Sequence, residues 1–345
     1  MGNAIKSFLK TVRGTALGAM ARRCKAALFP RNPNEETCRH FRYDCNRFIH
    51  CSSDRASNTK DKDLAMLIAL YHVLEKGLTM PERRMGFGRD MVLETMKQCE
   101  AFMANHGDGN RQAIHAAGVV RAYWELHAGW EGKAADTDFW AEVEAFVARH
   151  PDTPAAGQAH WTRKDFGAVK ELPFPAFASS RHSVRNYAQE TVPPERIRAA
   201  VELAATAPSA CNRQYVRAHC VGDKPLMEKI FSLQNGNRGF GHLADKLLLV
   251  TADLDGIFGA EERNDLFTNG GMFLMNLCYA LHWHGIAHCV LNWSTSPEND
   301  LALRNLVELK GSESVVALVA CGWPPEEFDV ATSPRKGVDE IFVLH

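Results

Sequence analysis

The second half of the chain alternates short apolar runs with helical patterns, and no other feature of the sequence limits the possible folds as strongly. Runs typical of buried strands occupy residues 246–251, 288–291 and 315–320, and helices are predicted between them at 266–284 and 297–309. Strands that are apolar on both faces need helices on both sides of their sheet. The alternation therefore predicts an α+β domain with three layers, α/β/α.

The first half of the chain differs, because its apolar residues recur at helical spacing only, with glycine-rich breaks near residues 86–88 and 107–109. A stretch rich in Pro, Gly and Ala then shows no periodicity and is typical of a connector. We therefore predict an all-helical module over residues 35–150, a connector over 151–178 and the α+β domain over 179–345.

The first 34 residues carry seven Lys or Arg and no acidic residue. Apolar residues recur among them at roughly helical spacing, which predicts a basic amphipathic helix. Such a helix either lies on an anionic membrane surface or covers an apolar groove of its own protein. The sequence leaves both alternatives open.

Composition excludes several classes of protein. A chain of 345 residues with 46% hydrophobic residues and a net charge of −1 is long and apolar enough to bury a core, and its charge does not favour nucleic acid as a partner. No run of about 18 apolar residues occurs, so no membrane-spanning helix is expected. Ten cysteines are scattered without a Cys-x-x-Cys pair, which indicates reduced thiols and a cytoplasmic protein, with peripheral membrane contact through residues 1–30 as the one alternative.

Two motif-like segments argue against other chemistries. Five potential metal ligands fall between Cys38 and Cys51, but the cysteines share a helical stripe with apolar residues while the histidines point elsewhere, so we expect no metal. Gly236, Gly239 and Gly241 form Gly-x-x-Gly-x-Gly without a strand before it, which excludes a dinucleotide-binding turn.

One segment has the composition of a phosphate receptor. Arg181, Ser183 and Arg185 place two guanidinium groups and a hydroxyl within five residues, and guanidinium groups bind phosphate in fork geometry. About 25 residues later, Ser209, Asn212 and other polar residues form a loop whose amide and hydroxyl groups suit a heteroaromatic ring with carbonyl and NH edges.

These motifs, taken in order, resemble the nitroreductase family of FMN-dependent oxidoreductases. They are Arg-His-Ser-x-Arg at 181–185, Ala-Pro-Ser-x-x-Asn-x-Gln at 207–214, a Gly-Gly pair at 270–271 and Gly-Trp-Pro at 322–324. The resemblance covers residue 174 to the end, and the helical module stands outside it as an N-terminal extension. It implies FMN as cofactor, held by Arg181, His182, Ser183, Arg185, Ser209, Asn212, Gln214, Asn237 and Arg335.

The resemblance also implies roles for these residues. Arg181, Ser183 and Arg335 would bind the phosphate and ribityl chain, and Arg185 would lie at the pyrimidine end of the flavin. The family often has a Pro-x-Glu-Gly turn beside the reactive N5 atom. This chain has Leu-Asn-Trp-Ser there, so Asn292 and Trp293 are the candidates for that position.

The function implied by the resemblance is hydride transfer from NADH or NADPH, through flavin N5, to an electron-poor acceptor such as a nitroaromatic or a quinone. The family pattern further implies ping-pong turnover, no dedicated catalytic acid or base, and a homodimer with the flavin at the subunit interface. Two alternatives stay open: a specialised flavin-dependent reductase or dehydrogenase in a biosynthetic pathway, including polysaccharide synthesis, and a flavin-binding scaffold without turnover.

A dense polar segment at the end of one predicted helix has two interpretations. His72, Glu75 and Lys76 precede Arg83, Arg84 and a glycine-flexible turn. Either these are solvated charges at a helix C-terminus, or they contact the flavin site.

Overall fold

The computed structural model describes residues 33–51 and 59–345. The amphipathic helix predicted for residues 1–34 lies outside these residues except for its last two positions. The chain divides into two compact units. One contains the first helix, α1 (Pro33–Cys51), together with residues 258–263, and the other contains the described residues from 59 to 257 and from 264 to the end.

Within the first unit, an ion pair connects helix α1 to residues 258–263. Arg263 donates hydrogen bonds of 2.5 and 2.8 Å to the two carboxylate oxygens of Asp44. Glu36, His40 and Glu261 also bring three potential metal-ligating atoms within 4.8 Å of one another. The cysteines of α1 have free, exposed thiols and are not members of this group.

The second unit begins with a helical part that has its own core. Leu67, Val119, Tyr123 and Phe146 are fully buried there, and Asn110 caps one helix by accepting from two backbone N–H groups. The prediction of an all-helical first half is therefore confirmed for the described residues. Its helices are α2 (Lys60–Leu78), α3 (Arg89–His106), α4 (Arg111–Leu126) and α5 (Thr137–Arg149).

The segment predicted as a connector contains regular structure. Strand β1 (Gln158–Thr162) is followed by α6 (Arg163–Ala168) and α7 (Phe174–Ser180). Strand β1 pairs antiparallel with β6 (Glu327–Ala331), which lies far along the chain. A short strand whose only partner is so distant leaves no local periodicity, because its pairing is long-range.

A four-stranded sheet forms the centre of the α+β part. Its order is β2-β3-β5-β4, and every neighbouring pair is antiparallel. The strands predicted at 246–251, 288–291 and 315–320 and the helices predicted at 266–284 and 297–309 are confirmed with small shifts at their ends. The regular elements of this half are β2 (Val216–Val221), β3 (Lys246–Asp253), β4 (Ala287–Asn292), β5 (Glu313–Gly322), α8 (Pro194–Ala204), α9 (Lys224–Ser232), α10 (Asp265–Trp283) and α11 (Pro297–Val307).

Both faces of this sheet are covered by helices. Leu247 of β3 belongs to a core with Ile230 of α9 and Leu303 of α11. The next residue, Leu248, belongs to a second core with Leu277 of α10. Because successive side chains of a strand point to opposite faces, the alternation confirms the predicted α/β/α layering.

The glycine pair in α10 fits the same packing. A Cβ atom at Gly270 would lie 2.5 Å from Cγ2 of Val316 on β5, whereas a Cβ at Gly271 would meet nothing within 4 Å. Gly270 therefore lets the helix approach the sheet closely. Across 33–51 and 59–345, none of the helices has both the length and the hydropathy needed to cross a bilayer.

Candidate functional site

The Arg-His-Ser-Val-Arg segment runs in extended conformation beside β4. The backbone N–H of Val184 donates to the carbonyl of His288 at 2.9 Å, and the hydroxyl of Tyr187 donates to the carbonyl of Val184 at 2.8 Å. Val184 and Tyr187 are buried. These inward-facing anchors fix the backbone, and residues 181, 183 and 185 alternate with Val184 along it.

A cavity of about 550 Å³ opens beside this segment, and we call it the arginine cavity. Five of the nine residues predicted to hold FMN line it. The lining residues are His72, Ala178, Ser179, Arg181, His182, Ser183, Arg185, Ala331, Thr332, Ser333, Pro334 and Arg335.

The charges around the arginine cavity favour an anion. Three guanidinium groups, those of Arg181, Arg185 and Arg335, line it, and no carboxylate does so among the described residues. Burial, together with the charges of Arg181 and Arg335, lowers the pKa of His182, which keeps this imidazole neutral. Guanidinium and hydroxyl donors in a carboxylate-free pocket fit a phosphate group.

Two buried histidines lie close to this segment. Burial, together with the charge of Arg181, lowers the pKa of His282 to about 3 and the pKa of His288 to about 4. His282 Nε2 lies 2.8 Å from the hydroxyl of Ser180. Both histidines are therefore neutral near pH 7 and do not compete with the arginines for an anion.

The helical part contributes His72 to the lining of the cavity, and the neighbouring Glu75 holds the loop beside it. Glu75 of α2 is fully buried, and its carboxylate contacts His115 Nε2 at 2.7 Å and His72 Nδ1 at 3.0 Å. The backbone N–H and the hydroxyl of Ser333 each donate to Glu75 at 3.1 Å. The interpretation of Glu75 as a solvated helix-end charge is thus wrong, because the carboxylate is fully buried and hydrogen-bonded.

Further hydrogen bonds hold the loop that carries Arg335. Gln112 of α4 donates to the carbonyl of Pro334 at 3.2 Å and accepts from the hydroxyl of Tyr71 at 2.5 Å. Ser333 has a positive φ of 42°, and Arg335 donates to its carbonyl. Burial raises the pKa of Glu75, but the hydrogen bonds from His115 and His72 outweigh it and hold the pKa at about 2. The loop that carries Arg335 is therefore hydrogen-bonded to the carboxylate of Glu75, which keeps its negative charge.

The predicted ring-binding loop does not line the arginine cavity of its own chain. The hydroxyl of Ser209 accepts from the backbone N–H of Gln214 at 3.1 Å, and the Gln214 side chain donates to Asn212 Oδ1 at 2.9 Å. Cys211, Asn212 and Gln214 all have positive φ values, between 50° and 55°. The loop thus has a specific shape, and its role in flavin binding stays a prediction.

Three other candidate residues also lie outside the arginine cavity. Asn237 donates to the backbone carbonyls of Phe231 and Gln234, at 2.8 and 2.6 Å, and so closes its own loop. The carbonyl of Asn292 accepts from Gln234 at 2.9 Å, whereas the indole of Trp293 donates to Asp300. Their predicted roles beside the flavin stay predictions.

Sequence reasoning missed part of the cavity wall. His72, Thr332 and Ser333 line it, and only His72 belongs to a segment for which a flavin contact was an alternative. The density of polar residues around Glu75 was the one sequence signal that pointed to this part of the cavity wall. Thr332 and Ser333 gave no signal, because they resemble the residues of any polar turn.

A comparison with protein families is decisive for the central segment. The nitroreductase family profile matches residues 178–237. This segment is therefore similar to the nitroreductase family. It contains the Arg-His-Ser-Val-Arg segment and the loop of Ser209, Asn212 and Gln214, so the resemblance predicted from these motifs is confirmed. A comparison with curated proteins gave no match.

Several solved structures are similar to the chain. A putative nitroreductase from Desulfovibrio desulfuricans in complex with FMN is 21% identical, with a TM-score of 0.44, over 50% of this chain and 97% of that protein. A nitroreductase family protein from Streptococcus pneumoniae is 22% identical, also with a TM-score of 0.44, over 50% of this chain and all of that protein. A putative NADH dehydrogenase/NAD(P)H nitroreductase from Parabacteroides distasonis is 18% identical, with a TM-score of 0.42, over 47% and 92% of the two chains.

Proposed function

We propose that the protein is an FMN-dependent oxidoreductase that passes reducing equivalents from NADH or NADPH to an electron-poor acceptor. The observation that carries this proposal is the arginine cavity. Arg181, Ser183 and Arg185 of the nitroreductase segment meet Arg335 there without a carboxylate among the described lining residues. A pocket of this volume is in the range of cofactor sites.

The donor set fits FMN. Arg181, Arg335 and the hydroxyl of Ser183 would bind the phosphate by charge-assisted hydrogen bonds. Arg185 has only 8% of its surface exposed, so its charge would act at low dielectric on the pyrimidine end of the ring. Bound FMN would supply the hydride chemistry, and the protein would supply position and electrostatics.

The overall reaction balances without a dedicated acid. With a nitroaromatic acceptor, NAD(P)H and one proton convert the nitro group to a nitroso group and water, and NAD(P)⁺ is released. The hydride comes from the nicotinamide and the proton from solvent. The chain's residues are needed to hold the cofactor and the acceptor in contact.

A homodimer would explain the position of the Ser209–Gln214 loop. In this proposal, the loop of one subunit covers the flavin held by its partner. Helix α10 supports it, because its large apolar side chains Phe267, Met275 and Trp283 are 39–54% exposed. Several exposed large apolar side chains on one helix are typical of a subunit interface. The free thiols of the described cysteines support a cytoplasmic location.

The purified protein tests the proposal through its visible spectrum. We expect a yellow protein with flavin absorption that NADH or NADPH bleaches under anaerobic conditions, and whose colour an electron-poor nitroaromatic then restores. A colourless protein that does not bind added FMN would contradict the proposal. A yellow protein that neither nicotinamide reduces would favour the specialised flavoenzyme instead.

A further inference from the structure

A second cavity, which we call the Lys76 cavity, has a volume of about 360 Å³. It lies between the end of α2, the turn that follows this helix, and the loop around residues 235–239. The Gly-x-x-Gly-x-Gly motif contributes to it through Gly236 and Gly239. The proposed FMN-binding residues do not line it, so this cavity is available to a second molecule.

The Lys76 cavity is strongly basic. Four cationic side chains line it, and Glu82 is the only carboxylate among the described lining residues. Arg83 is partly neutralised by Asp329, 3.5 Å away. The four cations are Lys76, Arg83, Arg84 and Arg238.

Lys76 connects the two cavities electrostatically. Burial and the charge of Arg185, which lines the arginine cavity, both lower the pKa of Lys76. Lys76 lines one cavity and Arg185 lines the other, so the charges of the two cavities act on each other. An anion bound beside Lys76 would relieve their repulsion, because opposite charge stabilises a partly desolvated ammonium.

Apart from Asn235, the rest of the lining consists of apolar residues and glycines. Val73, Met80 and Phe87 form one side of the cavity. A Cβ atom at Gly77 would lie 2.2 Å from the Phe87 ring, so the ring is held against the helix backbone. Gly239 has a φ of +83°, a backbone conformation that favours glycine. The atom nearest to a Cβ added at this position would be the sulfur of Met80.

We propose that the Lys76 cavity binds the electron acceptor, and that this acceptor is an aromatic molecule carrying a carboxylate or a similar anionic group. The apolar side chains suit the ring, and Arg84 and Arg238, which are exposed at the rim, suit the anion. This inference rests on the proposed function, because it assigns a substrate class to the same enzyme. It also gives the helical part a role in substrate selection.

The test compares 4-nitrobenzoate with its neutral methyl ester. The quantity measured is the ratio of kcat/KM for the acid to kcat/KM for the ester, in wild type and in Arg84→Ala and Arg238→Ala variants loaded with FMN. Because the ratio is compared between proteins, the intrinsic difference in reactivity of the two acceptors cancels. We expect each substitution to lower the ratio about tenfold, the size of one lost charge-assisted hydrogen bond.

Arg198→Ala is the matched control. Arg198 is an exposed arginine on α8 that lines neither cavity, so its removal changes the net charge equally. The control should leave the ratio unchanged. Equal ratios in wild type and in all three variants would overturn the proposal.

A binding measurement separates the two proposals. Titration calorimetry with 4-aminobenzoate, which cannot be reduced, should show binding to the FMN-loaded protein that weakens in Arg238→Ala and in high salt. If neither nitro compound is reduced but this binding is seen, the proposed reaction fails while the anion site stands. If both are reduced and no binding is detected, the reaction stands and the anion site fails.

Discussion

The carboxylate of Glu75 accepts a hydrogen bond of 3.1 Å from the backbone N–H of Ser333, across 258 residues of sequence. Glu75 belongs to the helical part, and Ser333 belongs to the loop that carries Arg335. The contact therefore makes the helical part a wall of the arginine cavity. The residues proposed to bind phosphate, in the nitroreductase segment and in the C-terminal loop, line one cavity, and this buried charge holds the C-terminal loop in place.

Replacing Glu75 by Gln should weaken both the fold and the cofactor site. The variant removes a buried carboxylate and leaves His115 and His72 without this partner. We therefore expect the free energy of unfolding to fall by about 3 kcal/mol. The dissociation constant for FMN should rise about tenfold, because the loop of Arg335 loses its anchor. Urea denaturation and flavin fluorescence titration measure the two effects.

The control for this variant is Glu100→Gln, also in the helical part. Glu100 pairs with Arg149 at 2.6 Å, but both side chains are about half exposed. Such a pair contributes less than about 1 kcal/mol, and it lies far in sequence from the cavity residues. If Glu75→Gln changed stability and FMN affinity as little as Glu100→Gln does, the anchoring role of Glu75 would be refuted.

Stability should decline as the pH falls below neutrality. His282 and His288 have folded-state pKa values of about 3 and about 4, below the ordinary value of 6.5, so the unfolded chain takes up their protons first. Their stabilising contribution is complete above pH 6.5 and is lost as the pH falls towards 4 and then 3. Each histidine adds a slope of up to about 1.4 kcal/mol per pH unit in this window.

A variant compared with wild type over part of the same pH range tests whether His288 is responsible for this loss of stability. In His288→Gln the side chain no longer titrates, so urea unfolding measured between pH 7 and pH 4.5 should show a flatter decline than wild type. This range lies above the pH at which Glu75 is protonated. A slope as steep as that of wild type would assign the acid sensitivity to other groups.

Arg181→Ala should release FMN. The guanidinium is proposed to form charge-assisted hydrogen bonds to the phosphate, so its loss should raise the dissociation constant by about ten- to a hundredfold. The variant should purify with less flavin per subunit, as measured by absorbance, whereas Arg198→Ala should retain the wild-type content. Unchanged affinity would refute the phosphate assignment of Arg181.

The arginine cavity illustrates what the sequence can and cannot predict. Arg181, Ser183 and Arg185 were predicted because they are adjacent in sequence and their donors suit phosphate. The alternating runs around Leu247 and Leu248 likewise predicted a sheet covered on both faces. Ser333 could not be predicted, because its role depends on Glu75 in another part of the chain. Strand β1 was missed for the same reason, since its pairing with β6 is long-range.

Gly118 should tolerate no larger residue. It lies in α4, where the chain that leads to β1 crosses the helix, and a Cβ atom there would lie 2.7 Å from the carbonyl oxygen of Pro154. Gly118→Ala should therefore lower the free energy of unfolding by about 1–3 kcal/mol through overpacking. Gly167→Ala, in α6, is the control, because its Cβ meets nothing within 4 Å and alanine favours helix. The midpoint temperature of thermal unfolding should fall in Gly118→Ala and rise in Gly167→Ala. A loss of stability in both variants would contradict this account.

The proposed homodimer can be tested by mixing two variants that are each impaired in a different part of the proposed flavin site. Arg181→Ala removes a phosphate contact from the cavity but leaves the Ser209–Gln214 loop intact. A double variant, Asn212→Gly and Gln214→Gly, removes two loop side chains while glycine keeps the positive φ available. If the loop of one subunit completes the flavin site of the other, a mixed dimer holds one site with an intact cavity and an intact loop.

Denaturing and refolding an equal mixture should then restore about a quarter of wild-type sites, as random pairing of two chains requires. Restored NADH-dependent reduction of a nitroaromatic measures this, with each variant refolded alone as the control. A mixture no more active than the two variants alone would show that the loop acts on its own subunit or not at all.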